Sequence, residues 1–519
     1  MIFDDSFNTD PTTQLAEWEK LLRAELKLED VGSKTSKKTP EGTRWPTLWL
    51  ETQSLTQLPV QNSWKKAAQT YIQYAKNLAQ LIDDDLNSGV RSFFLEKEYL
   101  TSDSLNLFLK TVETHPKHAE CEIFLLGSKQ LQFKSSTLKV IDENNFHHGR
   151  LSHELGGDNI QELALLALFF VRKIENQNGP EMISVFVDSH FFRNIAKIRA
   201  AKLLALKISQ TTKSSKTFPV VALSSFREWT LYERYSNLLR NDAAVASAYI
   251  AGADHVQSSG YQALFEIELE SQDLVHDERS RRMARNTSHI LALESMLGVV
   301  EDAAFGSYHI ENLTQHYAQE AWTLMQQLLP LNETEAQKLM IDKASKVRGV
   351  RTEEVRTRKH ILAGMNDFPD VKDCLKLQSK PTPRFYRVAQ DFENLRLEIE
   401  SLKTKPRVSI VLYGEYSALV PRVNFVKNYF ELLGLEVLEL GKSQSDLETF
   451  KKELSQNKNE IIVLCSSDDN YEILKESLPP TSADKFIAGK FSLTGYQNLF
   501  AGQNVYEVLE ALVKKWGSK

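Results

Sequence analysis

Between about residue 60 and residue 345, short apolar runs alternate with longer stretches in which apolar side chains return every three or four positions. The short runs are SFFLE (92–96), EIFLLG (122–127), SVFVD (184–188), VVALS (220–224) and the stretch around 253–257. Their length and continuous apolarity predict strands of a parallel sheet buried on both faces. The stretches 159–174 and 194–208 predict helices. In the second, Ile195, Ile198, Ala201, Ala205 and Ile208 recur at the helical period, with Lys202 beside the stripe. This many β/α alternations favour a parallel sheet closed as a TIM-type β/α barrel, with an open doubly wound sheet as the alternative.

The flanking pattern differs. Residues 11–30 predict a short helix with Leu15, Trp18, Leu21 and Leu22 on one face. Residues 32–46, rich in Lys, Ser, Thr, Gly and Pro, read as a linker or extended arm. Residues 346–405 are densely charged, with prolines at 369, 381 and 383, and read as an interdomain connector ending in a helix. From residue 406 the β/α rhythm restarts: RVSIVLYG, LEVLEL, EIIVLCSS and DKFIAGK as strands, with helices between them and a terminal helix. The first of these helices has Pro421 near its start and Gly434 past its end. The expected organisation is an arm (1–55), a β/α barrel (56–345), a connector (346–405) and a flavodoxin-like open parallel α/β domain (406–519).

Composition narrows the function classes. Apolar residues make up 42% and charged residues 25% of the 519, enough for large cores. The 63 Lys and Arg against 69 Asp and Glu leave a net charge of −6, so there is no electrostatic footprint for nucleic acid or a membrane surface. The apolar run from Leu163 to Val171 is about half a membrane span. The acidic N-terminus has no apolar segment of the secretory kind. Cys121, Cys374 and Cys465 form no CxxC pair. The expectation is a cytoplasmic protein.

Common catalytic signatures are missing: no GxGxxG after a strand, no GxxxxGK[ST], no GxSxG. His153-Glu154 lacks the second histidine of HExxH, and the adjacent His147 and His148 point apart on a strand or loop. In a barrel, chemistry sits at the C-terminal ends of the strands. The polar residues there are Asp188, Ser189 and His190, then Ser224, Ser225, Arg227 and Glu228, then Gln257 and Ser258. Capping and loop roles account for them as well as catalysis does; Asp188 and Ser189 stand where a helix N-cap belongs.

Several stretches together resemble the adenosylcobalamin-dependent acyl-CoA mutases. Asn194-Ile195-Ala196-Lys197-Ile198-Arg199-Ala200-Ala201 is similar to the family's barrel-helix pattern. Residues 159–168 and 240–256 also match. Arg282, Ala284, Arg285, Asn286 and Thr287 match a second motif, and Asp302, Gly306, Ser307, Tyr308, Glu311, Leu313 and Thr314 a third. The order and spacing of these stretches run from Trp18 to the terminal helix. Within the family, the helix around Trp18, the strap ending in TPEGTRWPTLW and RKHILAGMNDFP (358–369) resemble small (beta) subunits of two-chain methylmalonyl-CoA mutases.

The departures carry as much information. Catalytic chains hold cobalt with the histidine of Asp-x-His-x-x-Gly, oriented by the carboxylate as metal-bound histidines are. The corresponding positions here are Ser417, Leu419 and Arg422. None of the twelve histidines lies beyond residue 405, and a leucine has no lone pair for a metal. Cys465-Ser466-Ser467 keeps the small residues that admit the cofactor's tail, but Asp468, Asp469 and Asn470 follow. Cys465 itself reads as a buried structural thiol. The histidine that touches the substrate thioester in catalytic chains, two residues before a Trp-like position, is Arg227 here, ahead of Glu228 and Trp229. No segment corresponds to the family's N-terminal substrate-contacting RQYAGF.

The resemblance therefore implies a non-catalytic small subunit, with no catalytic, cofactor-binding or metal-binding residue of its own. It would form a heterodimer with a catalytic large (alpha) subunit that carries adenosylcobalamin and interconverts (R)-methylmalonyl-CoA and succinyl-CoA, the chemistry of propionate metabolism. Residues 1–50 would be a wrapping arm. The alternatives are an acyl-CoA-binding regulatory module, or an active mutase using base-on cobalamin.

Overall fold

A computed structural model describes residues 11–27, 36–40, 42, 44–45, 58, 78–97, 100–116, 121–126, 130–133, 135, 138–142, 150–175, 182–211, 218–268, 278–300, 302–375, 386–444, 446–475, 478–479 and 483–517. His147, His148, Pro381 and Pro383 lie outside them. The chain divides into two compact units: Met1–Ser225 with Arg240–Ala263 and His276–Arg348, and Phe226–Leu239 with Leu264–Val275 and Gly349–Lys519.

The first unit begins with helix α1 (Pro11–Leu26), the helix expected around Trp18. The strap is not uniformly extended: β1 (Lys37–Lys38) pairs antiparallel with β2 (Arg44–Trp45). Helix α2 (Leu78–Asn87), β3 (Ser92–Glu96), α3 (Ser102–Thr114), β4 (Glu122–Leu126) and β5 (Lys139–Asp142) follow. Helices α4 (Arg150–Leu155) and α5 (Asn159–Glu175) lead to β6 (Ile183–Val187), α6 (Phe191–Thr211), β7 (Val220–Ser224), α7 (Ser236–Ile250) and β8 (His255–Val256). Helix α8 (Glu278–His289) runs on as a π-helical turn, Ile290–Glu294, before α9 (Tyr308–Leu328) and α10 (Glu333–Arg356). Every strand expected before residue 345 is present, and β1, β2 and β5 are additions.

Among the described residues, β3 to β8 form two parallel three-stranded sheets, β3-β4-β5 and β6-β7-β8. Strand alternation explains how both faces are used. On one face Phe93, Leu95, Ile123 and Leu125 pack with Ile82, Leu86, Leu105 and Phe108 of α2 and α3. Ile183, Val185, Val187, Val220 and Ala222 pack with α5, α6 and α9. The opposite faces of the two sheets meet in one cluster, Phe94 and Phe124 with Met182, Val221 and Leu223, and Phe186 against it.

The second unit contains α11 (Gln390–Glu400), β9 (Val408–Tyr413), α12 (Tyr416–Glu431), β10 (Val437–Gln444), α13 (Leu447–Gln456), β11 (Ile461–Cys465), α14 (Asp468–Leu474), β12 (Asp484–Ala488), β13 (Gln497–Leu499) and α15 (Val505–Gly517). Its five strands are parallel, in the order β10-β9-β11-β12-β13. This is the 2-1-3-4-5 order of one common doubly wound sheet. β13 had no sequence signal, being three residues with one buried side chain. Residues 349–405 of the segment read as a connector fall in this unit, with Val355, Leu362, Met365, Phe392 and Leu395 sharing a core with β9, α12 and α15. Helix α12 starts at Tyr416, so Pro421 lies inside it and not near its start.

Candidate functional site

The polar residues at the C-terminal ends of β6, β7 and β8 hydrogen-bond within the chain. The Asp188 carboxylate accepts from the His190 backbone N–H at 2.9 Å and sits 3.2 Å from His190 Nδ1, turning the chain into α6. Asn194 donates to the Asp188 carbonyl at 2.7 Å. Ser224 donates to the Gln257 carbonyl at 2.8 Å and takes the Gln257 side chain on its N–H at 3.0 Å, locking β7 to β8. Ser258 donates to Ala284 O at 2.8 Å and accepts from Asn241, whose Oδ1 takes the Ser259 N–H. Ser225 Oγ lies 3.3 Å from His153 Nε2, and the His153 ring stacks on Phe186 at 4.0 Å.

Between the two sheets the side chains are bulky. Phe94 and Phe124 stack at 4.6 Å, and both are fully buried. At the N-terminal ends of the strands His255 lies 3.2 Å from Ser92 Oγ through Nδ1 and 3.2 Å from Glu122 Oε2 through Nε2. This Ser–His–Glu chain has the composition of a hydrolytic triad. It stands at the strand ends that serve stability, and the Ser92 side chain is fully buried. No sequence signal marked it, because its three members lie on three different strands.

Several residues of the family motifs take part in buried ion pairs. Arg199 of α6, fully buried, donates through Nε and Nη2 to Asp302 at 2.8 and 2.9 Å, and through Nη2 to Glu311 at 2.9 Å. Its Nη1 reaches Thr314 Oγ1 at 3.2 Å, and Glu311 also accepts from the Gly306 N–H at 3.1 Å. Arg281 and Arg285 both pair with the buried Asp85 of α2. Lys197 pairs with Glu162 at 3.0 Å. Burial pushes the Lys202 ammonium down, and it donates to the carbonyls of Ala251 and Gly252.

Arg227, Glu228 and Trp229 belong to the second unit. Arg227 O accepts from the Val388 N–H at 3.0 Å, and Glu228 lies 3.4 Å from His360 Nε2. Trp229 is buried edge-on against Phe226.

In an open parallel sheet the ligand crevice lies outside the carboxyl ends of the strands, where the strand order reverses. In the second unit that point is between β9 and β11. Ser417 is exposed, and Leu419 is buried in the core with Val423 and Val426. Arg422 reaches across the strand ends: Nη1 donates to the carbonyls of Ser466 and Ala488, and Nη2 pairs with Asp468 at 2.7 Å. Tyr471 OH accepts from the Ser466 N–H at 2.9 Å and lies 3.0 Å from Leu464 O and Ala488 O. Ser466 donates to Tyr413 O, and Asn470 lies beside Gly414. Burial pushes the Cys465 thiol up to about 12, so it stays protonated. Among the described residues, no group of three or more His, Cys, Asp or Glu could hold a metal ion, and no helix is long and apolar enough to cross a membrane.

A family model described as methylmalonyl-CoA mutase matches residues 176–401. The methylmalonyl-CoA mutase small subunit of Porphyromonas gingivalis is 30% identical over 368 residues, covering 64% of this chain and 57% of that protein. The small subunit of Propionibacterium freudenreichii subsp. shermanii is 26% identical over 416 residues, covering 72% and 62%. The large subunit of P. gingivalis is 30% identical over 193 residues, covering 35% and 25%. The chain thus spans less than two thirds of the length of the small-subunit relatives it matches. The stretch matched by that model runs through Arg199, Asp302 and Glu311 of the buried ion pairs, so the chain is similar to the methylmalonyl-CoA mutases where those pairs form.

Proposed function

We propose that this chain is a non-catalytic small subunit of a cytoplasmic, heterodimeric methylmalonyl-CoA mutase. Its first unit is a TIM-type β/α barrel and its second a flavodoxin-like, cobalamin-type domain. The large subunit carries adenosylcobalamin and converts (R)-methylmalonyl-CoA to succinyl-CoA. The observation that carries this reading is the crevice at the ends of β9 and β11. A leucine faces the core where a cobalt ligand would be needed, and a guanidinium occupies the strand ends where a small residue would be needed. These residues do not fit a corrinoid with its tail inserted, so no reaction step is assigned to this chain. The stacked phenyl rings between the two sheets support the same reading, since a thioester would have to displace them.

The test is a titration of the isolated chain with adenosylcobalamin, followed by absorbance, beside mutase assays of the chain alone and mixed with a large subunit. The expected outcome is no spectral change and no turnover alone, with a stable complex on mixing. Tight binding with displacement of the cofactor's own base would overturn the assignment.

A further inference from the structure

The switch-point crevice of the second unit is filled by the chain's own side chains. Arg422 lies one helical turn after Leu419 on α12 and uses its fork on three acceptors: the carbonyls of Ser466 and Ala488, at the ends of β11 and β12, and the Asp468 carboxylate. Its guanidinium carbon stands 5.7 Å from the centre of the Tyr471 ring. The two glycines that border the crevice serve this arrangement. A Cβ on Gly489 would meet Arg422 at 3.5 Å, and one on Gly414 would come within 2.8 Å of Asn470 Nδ2. The space beside Gly414 is therefore taken by Asn470, while a Cβ on Gly489 would make ordinary contact with Arg422. A planar, always-charged group satisfying strand-end carbonyls does what a bound ligand's donors would do there.

We propose that Arg422 is an intramolecular plug that keeps the nucleotide tail of a corrinoid out of this crevice, independently of the missing cobalt ligand at Leu419. This rests on the reading above that the chain carries no cofactor. Two separate barriers follow: no lone pair for cobalt at position 419, and no room for a tail beside position 422.

The two barriers separate with two corrinoids, hydroxocobalamin, which has the nucleotide tail, and diaquacobinamide, which lacks it. The full chain is titrated as the unmodified protein, Leu419→His, Arg422→Gly and the double variant, with absorbance reporting imidazole on cobalt. Leu419→His is expected to take diaquacobinamide at least tenfold more tightly than hydroxocobalamin. The double variant is expected to take both equally, hydroxocobalamin with its own base displaced. Equal binding of the two corrinoids by Leu419→His overturns the plug, as does a preference that Arg422→Gly leaves unchanged, or a natively folded double variant that takes neither. If Leu419→His loses its native circular dichroism, Arg422→Gly alone decides. Amide exchange in residues 414–422 and 466–470 should then rise at least tenfold, and unchanged exchange overturns the proposal. Corrinoid binding by the unmodified chain would instead sink the non-catalytic reading, so the two failures are distinct.

Discussion

Arg199 shows what a motif residue can do without touching a substrate. Its guanidinium joins α6 to the loop and helix that carry Asp302, Glu311 and Thr314, and both Arg199 and Glu311 have fully buried side chains. Removing one partner of such a pair leaves a charge with neither water nor counter-ion. Arg199→Met should therefore cost ~3–5 kcal/mol in urea unfolding. Adding Glu311→Gln should recover part of the loss; a loss no larger than that of a surface arginine would show that the network is not a clamp. His289 makes a pH-dependent contribution. Burial pushes its pKa below 6.5, the cations Arg285 and Arg91 add to the effect, and the Ser88 backbone opposes it. The unfolded chain then binds the proton more readily, so this contribution is intact above pH 6.5 and declines as pH falls through 6.5 toward the folded value. The urea midpoint should drop between pH 7.5 and pH 5.5, and His289→Gln should flatten that slope.

At the scale of elements, propensity and packing pull apart at α12. A proline inside a helix removes a backbone donor and crowds the preceding turn, so the sequence places the helix start beside it. The helix nevertheless begins at Tyr416, because burying Leu419 against the sheet requires that extra turn. The turn out of β9 depends on Gly414, at φ +119°, where a Cβ would come 2.8 Å from Asn470 Nδ2. Gly414→Ala should cost ~1–3 kcal/mol, from strained backbone together with the displaced amide. Gly502→Ala is the control. Gly502 has φ +88° but nothing within 4 Å of its Cβ position, so the cost there is the backbone term alone, about 1 kcal/mol. Equal losses would mean that the Asn470 contact does not matter.

For the whole molecule, association is the property to measure. If residues 1–50 are a wrapping arm, deleting them should shift a mixture with the large subunit toward separate chains on a sizing column. Unchanged assembly would remove the arm from the interface.

The sequence by itself determined β3, β4, β6, β7, β9 and β11 and helices α5 and α6, because a run buried in a parallel sheet is apolar almost throughout and a packed helix repeats its apolar residues every three or four positions. It also marked Ser417, Leu419 and Arg422 as departures, since residue identity alone decides whether a side chain can donate a lone pair. Only the tertiary structure decided what Arg422 meets at the strand ends. That Arg422 spans the ends of β11 and β12 depends on contacts 44 and 66 residues away in the chain. The same is true of Arg199, whose partners lie 103 and 112 residues away. It is also true of the Phe94–Phe124 stack, set by strand register. Local periodicity records which face of an element is apolar; which face it meets is settled only when the sheets form.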